Sequence, residues 1–236
     1  MEFRCDQGMP RTVAVIAAHP DDEVLGCGAT IARHAAAGEK VHVLIVGEGA
    51  TSRDATRNRA TMQAQLSELA RSARKAHAIL GSAGLEMLGF PDNRLDSVDL
   101  LDVVKPIETF LGKVSPEIVY THFPADLNLD HRVVSEAVQV ACRPLPGSVL
   151  RQLLMFEVAS STEWRIASPT VFNPNYYVEI SATLERKTQA LSAYSAEMRP
   201  WPHARSLEAV QALAKWRGAS VGVPAAEAFV LGRGLV

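Results

Sequence analysis

The chain has 236 residues, 47% of them hydrophobic, with 24 basic against 26 acidic side chains and a formal net charge of -2. That length and composition suit one domain with a substantial core, and they exclude a low-complexity chain or a small disulfide framework, because Cys5, Cys27 and Cys142 are odd in number, far apart and best read as reduced thiols. Basic residues are scattered, which leaves no electrostatic footprint for nucleic acid, and neither a signal-peptide core nor a long apolar span is present, so a cytoplasmic protein without membrane insertion is expected.

Residues 12–18 form a short apolar run rich in Val, Ile and Ala, which reads as a strand covered on both faces. It runs into His19-Pro20-Asp21-Asp22-Glu23, one imidazole and three carboxylates at a proline turn leading into a helix that begins near Asp22 or Glu23. In an open parallel sheet, ligands bind beyond the carboxyl ends of the strands, so the cluster stands where such folds place their chemistry. His19 and Asp22, three apart across the turn, can grip one metal ion, while Asp21 between them points elsewhere and can take a proton from water. Helix capping alone would need one acidic residue and no histidine.

A helix over 24–37 stops at Gly38, and a strand over 40–46 follows. The loop 47–53 lies at that strand's carboxyl end, where Glu48 and Arg53 are candidates to contact a substrate. A long helix is predicted over 56–80, stopped by Gly81, then a short strand over 85–88 and a second rim loop over 89–96 with Asp92 and Arg94 as further binding candidates. A helix over 100–111 precedes a strand over 116–122 that ends in His122. The polar loop 123–131 then opens a helix over 132–142.

His131 thus stands at a strand-to-helix junction, as His19 does. If the two strands are neighbours, His19, Asp22 and His131 meet above the sheet edge. Two histidines and a carboxylate with an open position suit Zn2+, and Fe2+, Co2+ or Ni2+ can use similar ligands. Asp130 would support a ligand from behind, and Asp126 or Asn128 would line the pocket.

Beyond residue 150 the reading gives strands over 150–158, 176–180 and 228–231 and helices over 184–198 and 206–217. Trp164 and Trp201 are placed either to stack on a ring or to pack. The proline-stiffened loop 199–205 carries His203. The repeated strand-helix units predict an α/β fold with a mostly parallel sheet and right-handed crossovers. A dinucleotide-binding turn is excluded: Gly26 and Gly28 lie too far into the first helix, and the acidic cluster would repel a pyrophosphate.

The segments Ala18-His19-Pro20-Asp21-Asp22-Glu23, Gly26-Cys27-Gly28-Ala29-Thr30 and Asp126-Leu127-Asn128-Leu129-Asp130-His131, in this order, resemble the PIG-L/LmbE family of zinc-dependent N-deacetylases. The resemblance runs from about residue 12 to the end. It implies a Rossmann-like three-layer sandwich and a single domain over 1–236, with 1–142 the strand-helix core carrying the metal motifs and 143–236 a more variable part completing the pocket. It also implies His19, Asp22 and His131 as zinc ligands, Asp21 as general base and Asp92 against the sugar.

One position departs from the family. Many members carry a histidine three residues before the last ligand, where this chain has Asn128. An amide can donate to a developing oxyanion but cannot pass a proton to a leaving amine. The acid must then be Asp21 recycling its proton, a metal-bound water, or another histidine, of which His203 is the candidate.

The expected reaction is release of acetate from an N-acetylated amino sugar, whether free, nucleotide-linked or part of a glycan precursor. Arg53 and Arg94 would suit a phosphate on it. The alternatives are a metal-dependent amidase for another acyl amide or thiol conjugate, and a non-catalytic carbohydrate-binding module. Retention of all three ligands and the base speaks against the module. The sequence leaves open whether copies assemble into a homo-oligomer.

Overall fold

Buried apolar strands alternate with amphipathic helices, and the product is a three-layer α/β/α sandwich, seen in a computed structural model that describes residues 10–53, 57–166 and 169–236. Cys5, Thr56 and the side chain of Arg53 lie outside the described part. In chain order the elements are β1 (Thr12–Ala17), α1 (Asp22–Ala36), β2 (Lys40–Gly47), α2 (Gln63–Leu80), β3 (Gly84–Phe90), α3 (Leu100–Val114) and β4 (Ile118–His122). There follow α4 (Leu129–Ala141), β5 (Gln152–Phe156), β6 (Tyr176–Glu179), α5 (Leu184–Ala193), α6 (Leu207–Ala219) and β7 (Ala226–Gly234).

The seven strands lie in the order β3-β2-β1-β4-β5-β7-β6. The first five are parallel, and β7 runs antiparallel to both β5 and β6. Side chains alternate across a strand, so β1 feeds two cores at once. Val13, Val15 and Ala17 pack with residues of α1, α2 and α5, whereas Ala14 and Ile16 pack with residues of α3 and α4.

From β1 the chain winds outward through β2 and β3, then returns to β4 on the other side of β1. The reversal leaves a crevice at the carboxyl ends of β1 and β4, the place where open α/β sheets bind ligands. A buried hydrogen bond pins the two ends together, Ala18 N donating to His122 Nε2 at 2.8 Å.

Some boundaries differ from the sequence reading. Helix α2 starts at Gln63 and not at 56, because the Asn58 side chain accepts the N–H groups of Ala60 and Thr61 and so competes with the helix. Helix α5 stops at Ala193, and Tyr194 turns into the core instead of extending it. Strand β7 is longer at both ends than 228–231. Among the described residues no helix is long and apolar enough to cross a membrane, and Cys27 and Cys142 are free and buried.

Helix α1 carries a break at Cys27, whose φ of -145° is not helical. A buried ion pair repairs it. Lys187 Nζ donates to Leu25 O at 2.7 Å on one side of the break, and Glu227 accepts Ala29 N at 3.1 Å and Thr30 N at 2.7 Å on the other. The two side chains meet at 2.6 Å, so a charge pair satisfies backbone groups that a broken helix would leave orphaned. Gly26 precedes the break because a β-carbon there would overlap the Phe156 ring.

Removing one member of this pair leaves the other buried without a counter-charge. Lys187→Met is therefore expected to destabilise the protein by about 3–5 kcal/mol in urea unfolding; a loss under about 1 kcal/mol would mean that Glu227 is held by the two backbone amides alone.

Candidate metal centre and active site

The turn after β1 places two adjacent aspartates in different directions. Asp21 has φ 112°, in the left-handed region, and its carbonyl accepts Val24 N and Leu25 N at 3.0 and 2.8 Å to start α1. Asp22 then points back over the strand ends. Its Oδ2 lies 3.3 Å from His19 Nδ1 and 3.1 Å from His131 Nε2, so one carboxylate oxygen is shared by two imidazoles. His19, Asp22 and His131 are all buried, and each offers a donor atom within 4.8 Å of the others.

The far nitrogens of both rings meet carboxylates. His19 Nε2 is 2.9 Å from Asp130 Oδ2, and His131 Nδ1 is 3.1 Å from Asp126 Oδ1. These partners are themselves held: Asp130 accepts Asn93 N at 2.6 Å and Leu95 N at 3.0 Å, while Asp126 accepts the Thr162 hydroxyl at 2.5 Å and the Ser161 hydroxyl. A carboxylate behind each ring can hold a proton on the far nitrogen, so that His19 Nδ1 and His131 Nε2 become lone-pair donors facing Asp22 once each ring has lost its other proton. Asp22 Oδ1 is buried and accepts no hydrogen bond among the described residues. Two imidazoles, once neutral, and a carboxylate with an orphaned oxygen are a donor set that fits a divalent cation.

The electrostatics follow from the packing. Burial works against ionisation of Asp22, yet the His131 and His19 rings hold its carboxyl well below the usual range. Burial lowers His131, but Asp22 and Asp126 outweigh it and raise the ring to about 9. His122 stacks on His131 with centroids 4.0 Å apart, and burial beside that ring pushes it well below the ordinary imidazole value, so it stays neutral. Burial pushes the Asp21 carboxyl up to about 8 against the pull of Arg205, with Asp22 and Glu23 adding to the rise.

The structure brings His19, Asp21, Asp22, Asp130 and His131 together and uses other predicted residues differently. Asn128 is the N-cap of α4: its Oδ1 accepts Asp130 N and His131 N, and its Nδ2 donates to Asn93 Oδ1 at 2.9 Å. Asp92 is 2% exposed and faces His19 Nε2 at 3.3 Å while accepting Ser52 N, so it braces the site from within rather than reaching outward. Glu48 is also buried, beneath Arg57 and Arg59, which it pairs with at 2.7 and 3.1 Å. Arg94 stands on the same rim at the start of a 3-10 turn, Leu95–Ser97. Arg53 ends another such turn, Thr51–Arg53.

His203 makes its contacts with the loops beside it. Its Nδ1 accepts Arg205 N at 3.0 Å, and its ring packs edge-on against Trp164 at 5.6 Å. The residue of that loop that reaches the site is Arg205, which donates to Asp21 Oδ2 at 2.9 Å and to Ser160 Oγ at 2.7 Å. Its prolines mark that loop in the sequence, but no spacing signal points to Arg205, nor to Ser161 and Thr162 behind Asp126.

Comparison with known proteins identifies the family. Residues 14–142 match the PIG-L family, described as GlcNAc-PI de-N-acetylase. An uncharacterized deacetylase of Escherichia coli K12, YaiS, is 34% identical over 68% of this chain and 80% of its own. A probable N-acetyl-alpha-D-glucosaminyl L-malate deacetylase 2 of Bacillus cereus is 27% identical over 88% of this chain and 94% of its own. The solved N,N'-diacetylchitobiose deacetylase of Pyrococcus horikoshii shares the fold with a TM-score of 0.75 at 20% identity, over 95% of this chain and 84% of that one.

Two outcomes are expected. Asp126→Ala and Asp130→Ala should each weaken Zn2+ binding roughly 10–100-fold in chelator competition; unchanged affinity would mean that packing alone orients the rings. Because a ligand imidazole must be neutral and the surrounding carboxylates outweigh burial and raise both His19 and His131 above the ordinary imidazole value in the metal-free protein, Zn2+ affinity should rise with pH through neutrality and beyond. Calorimetry in buffers of different ionisation enthalpy should register the proton released, and heats independent of buffer would contradict the assignment.

Proposed function

The chain belongs to the PIG-L de-N-acetylase family, and from this premise we propose that it is a Zn2+-dependent hydrolase removing the acetyl group from an N-acetylated amino sugar. The observation that carries the reading is the Asp22 carboxylate shared between two carboxylate-backed imidazoles, with a second carboxylate, Asp21, beside the donor set but outside it. His19, Asp22 and His131 would hold the ion, with Fe2+, Co2+ or Ni2+ able to replace it.

A divalent cation at these donors supplies a Lewis acid that polarises the acyl carbonyl and lowers the pKa of water toward roughly 7. The protein does the proton work. Asp21, in its ionised form paired with Arg205, takes one proton from the attacking water and returns it to the departing nitrogen as the C–N bond breaks, so that acetic acid and a neutral amine leave and the acid then gives up its proton to solvent. Arg205 holds Asp21 by Oδ2, which leaves the other oxygen for the transfer. Asn128 stiffens the first turn of the helix that carries His131, and His203 shapes the loop that delivers Arg205, so the acid role falls to Asp21.

The malate deacetylase relative supports an N-acetylglucosaminyl substrate. Arg57 and Arg59, which pair with Glu48, and the half-exposed Trp164 are side chains that suit the charged and ring parts of such a substrate.

Protein stripped and reloaded with Zn2+ should release acetate from at least one of a panel of N-acetylhexosamines, free, phosphorylated and nucleotide-linked. Asp21→Asn should lower that rate by about 10²–10⁴, the usual weight of a general base. Stoichiometric zinc with no release from any sugar would turn the assignment toward another acyl amide.

A further inference from the structure

The strained backbone of Asp21 is held by a buried polar chain that lies outside the donor set. A non-glycine residue at φ 112° is strained and persists only where its surroundings over-determine it. Here the hold on the backbone comes from Glu23, whose Oε2 accepts Asp21 N at 3.0 Å, a reach-back like that of a capping box made one residue earlier. Glu23 is fully buried, and its other oxygen accepts the Tyr194 hydroxyl at 2.7 Å and faces His77 Nε2 at 3.3 Å. Tyr194 is 1% exposed just after α5, and His77 sits near the end of α2, where its Nδ1 meets Ser82 Oγ at 3.0 Å. Three helices therefore converge on one carboxylate whose contact with the active-site turn is a single backbone N–H.

We infer that Glu23 and Tyr194 are positioning residues: by gripping the Asp21 amide they keep its backbone left-handed, which is what turns the Asp21 carboxylate toward Arg205 while its neighbour Asp22 faces the imidazoles. The alternative for Glu23 is an ordinary acidic residue in a first helical turn, favoured by the helix dipole. A dipole needs no partner, however, and this carboxylate has donors on both oxygens, one from its own turn and one from an element 171 residues away. The inference rests on the reading of Asp21 as the base only for its effect on rate.

Tyr194→Phe, Glu23→Gln and Glu23→Ala, each in the full chain loaded with Zn2+, test it. Acetate release from the best sugar of the panel should show kcat roughly tenfold lower in Tyr194→Phe and roughly a hundredfold lower in Glu23→Ala, with KM and zinc content unchanged. Hydrogen exchange at the Asp21 amide, followed by NMR, should accelerate in the same order. Glu23→Gln should regain most of what Glu23→Ala loses, because an amide oxygen still accepts the Asp21 N–H. Should Glu23→Ala fail to fold, the comparison of Tyr194→Phe with wild type decides. Wild-type exchange and kcat in Tyr194→Phe, or a fall in kcat that merely tracks lost zinc, would overturn the inference. If the wild type turns over no acetamido sugar, the proposed activity fails, and the exchange rates still decide whether Glu23 holds the turn.

Discussion

Six carboxylates, Asp21, Asp22, Glu23, Asp92, Asp126 and Asp130, are buried around the carboxyl ends of β1 and β4. An ionised carboxylate cannot be taken out of water without donors or a counter-charge, so the placement of these six dictates much of what surrounds them. Asp130 takes two backbone amides of the loop after β3, Asp126 takes two hydroxyls from the loop after β5, Glu23 takes Tyr194, and Asp21 takes Arg205. Asp22 stands apart. Its Oδ2 accepts the His19 backbone N–H at 2.9 Å and faces two rings already braced from behind, while its Oδ1 has no hydrogen-bond donor among the described residues. A buried carboxylate oxygen left without a donor is one that a cation would satisfy.

The same constraint explains why the carboxyl-terminal third belongs to the site. The loop after β5 holds the partner of His131, Tyr194 after α5 holds Glu23, and the loop before α6 supplies Arg205. Lys187 on α5 and Glu227 on β7 close the break in α1 just beyond the turn that carries Asp21 and Asp22. These ties lead from the carboxyl-terminal third to the two strand-helix junctions that carry His19, Asp22 and His131, where a displacement of about an ångström would matter most for chemistry.

Much of this was legible beforehand. The apolar run before His19, the proline turn and the acidic start of α1 identified the junction, and the repeated spacing of strand, polar loop and helix placed His131 in the equivalent position. Side-chain identity carries no information on burial. Asp92 and Glu48, acidic and on rim loops, read as groups that face a sugar, but Asp92 is turned inward against His19 and Glu48 anchors two arginines. His203 drew attention as a histidine in a rigid loop, whereas the reach into the site belongs to its neighbour Arg205.

The sequence by itself determined the alternation of strand and helix, the mostly parallel sheet and the presence of imidazole and carboxylate donors at the two junctions, because hydrophobic period, turn residues and donor chemistry are local properties written in consecutive residues. Only the tertiary structure decided which carboxylate backs which imidazole, that Asn128 caps a helix, and that Glu23, Tyr194 and Arg205 converge on Asp21. Those pairings join residues as far apart as 184 positions, and their geometry is set by strand order and by the need to satisfy buried charge, neither of which leaves a periodic trace in the chain.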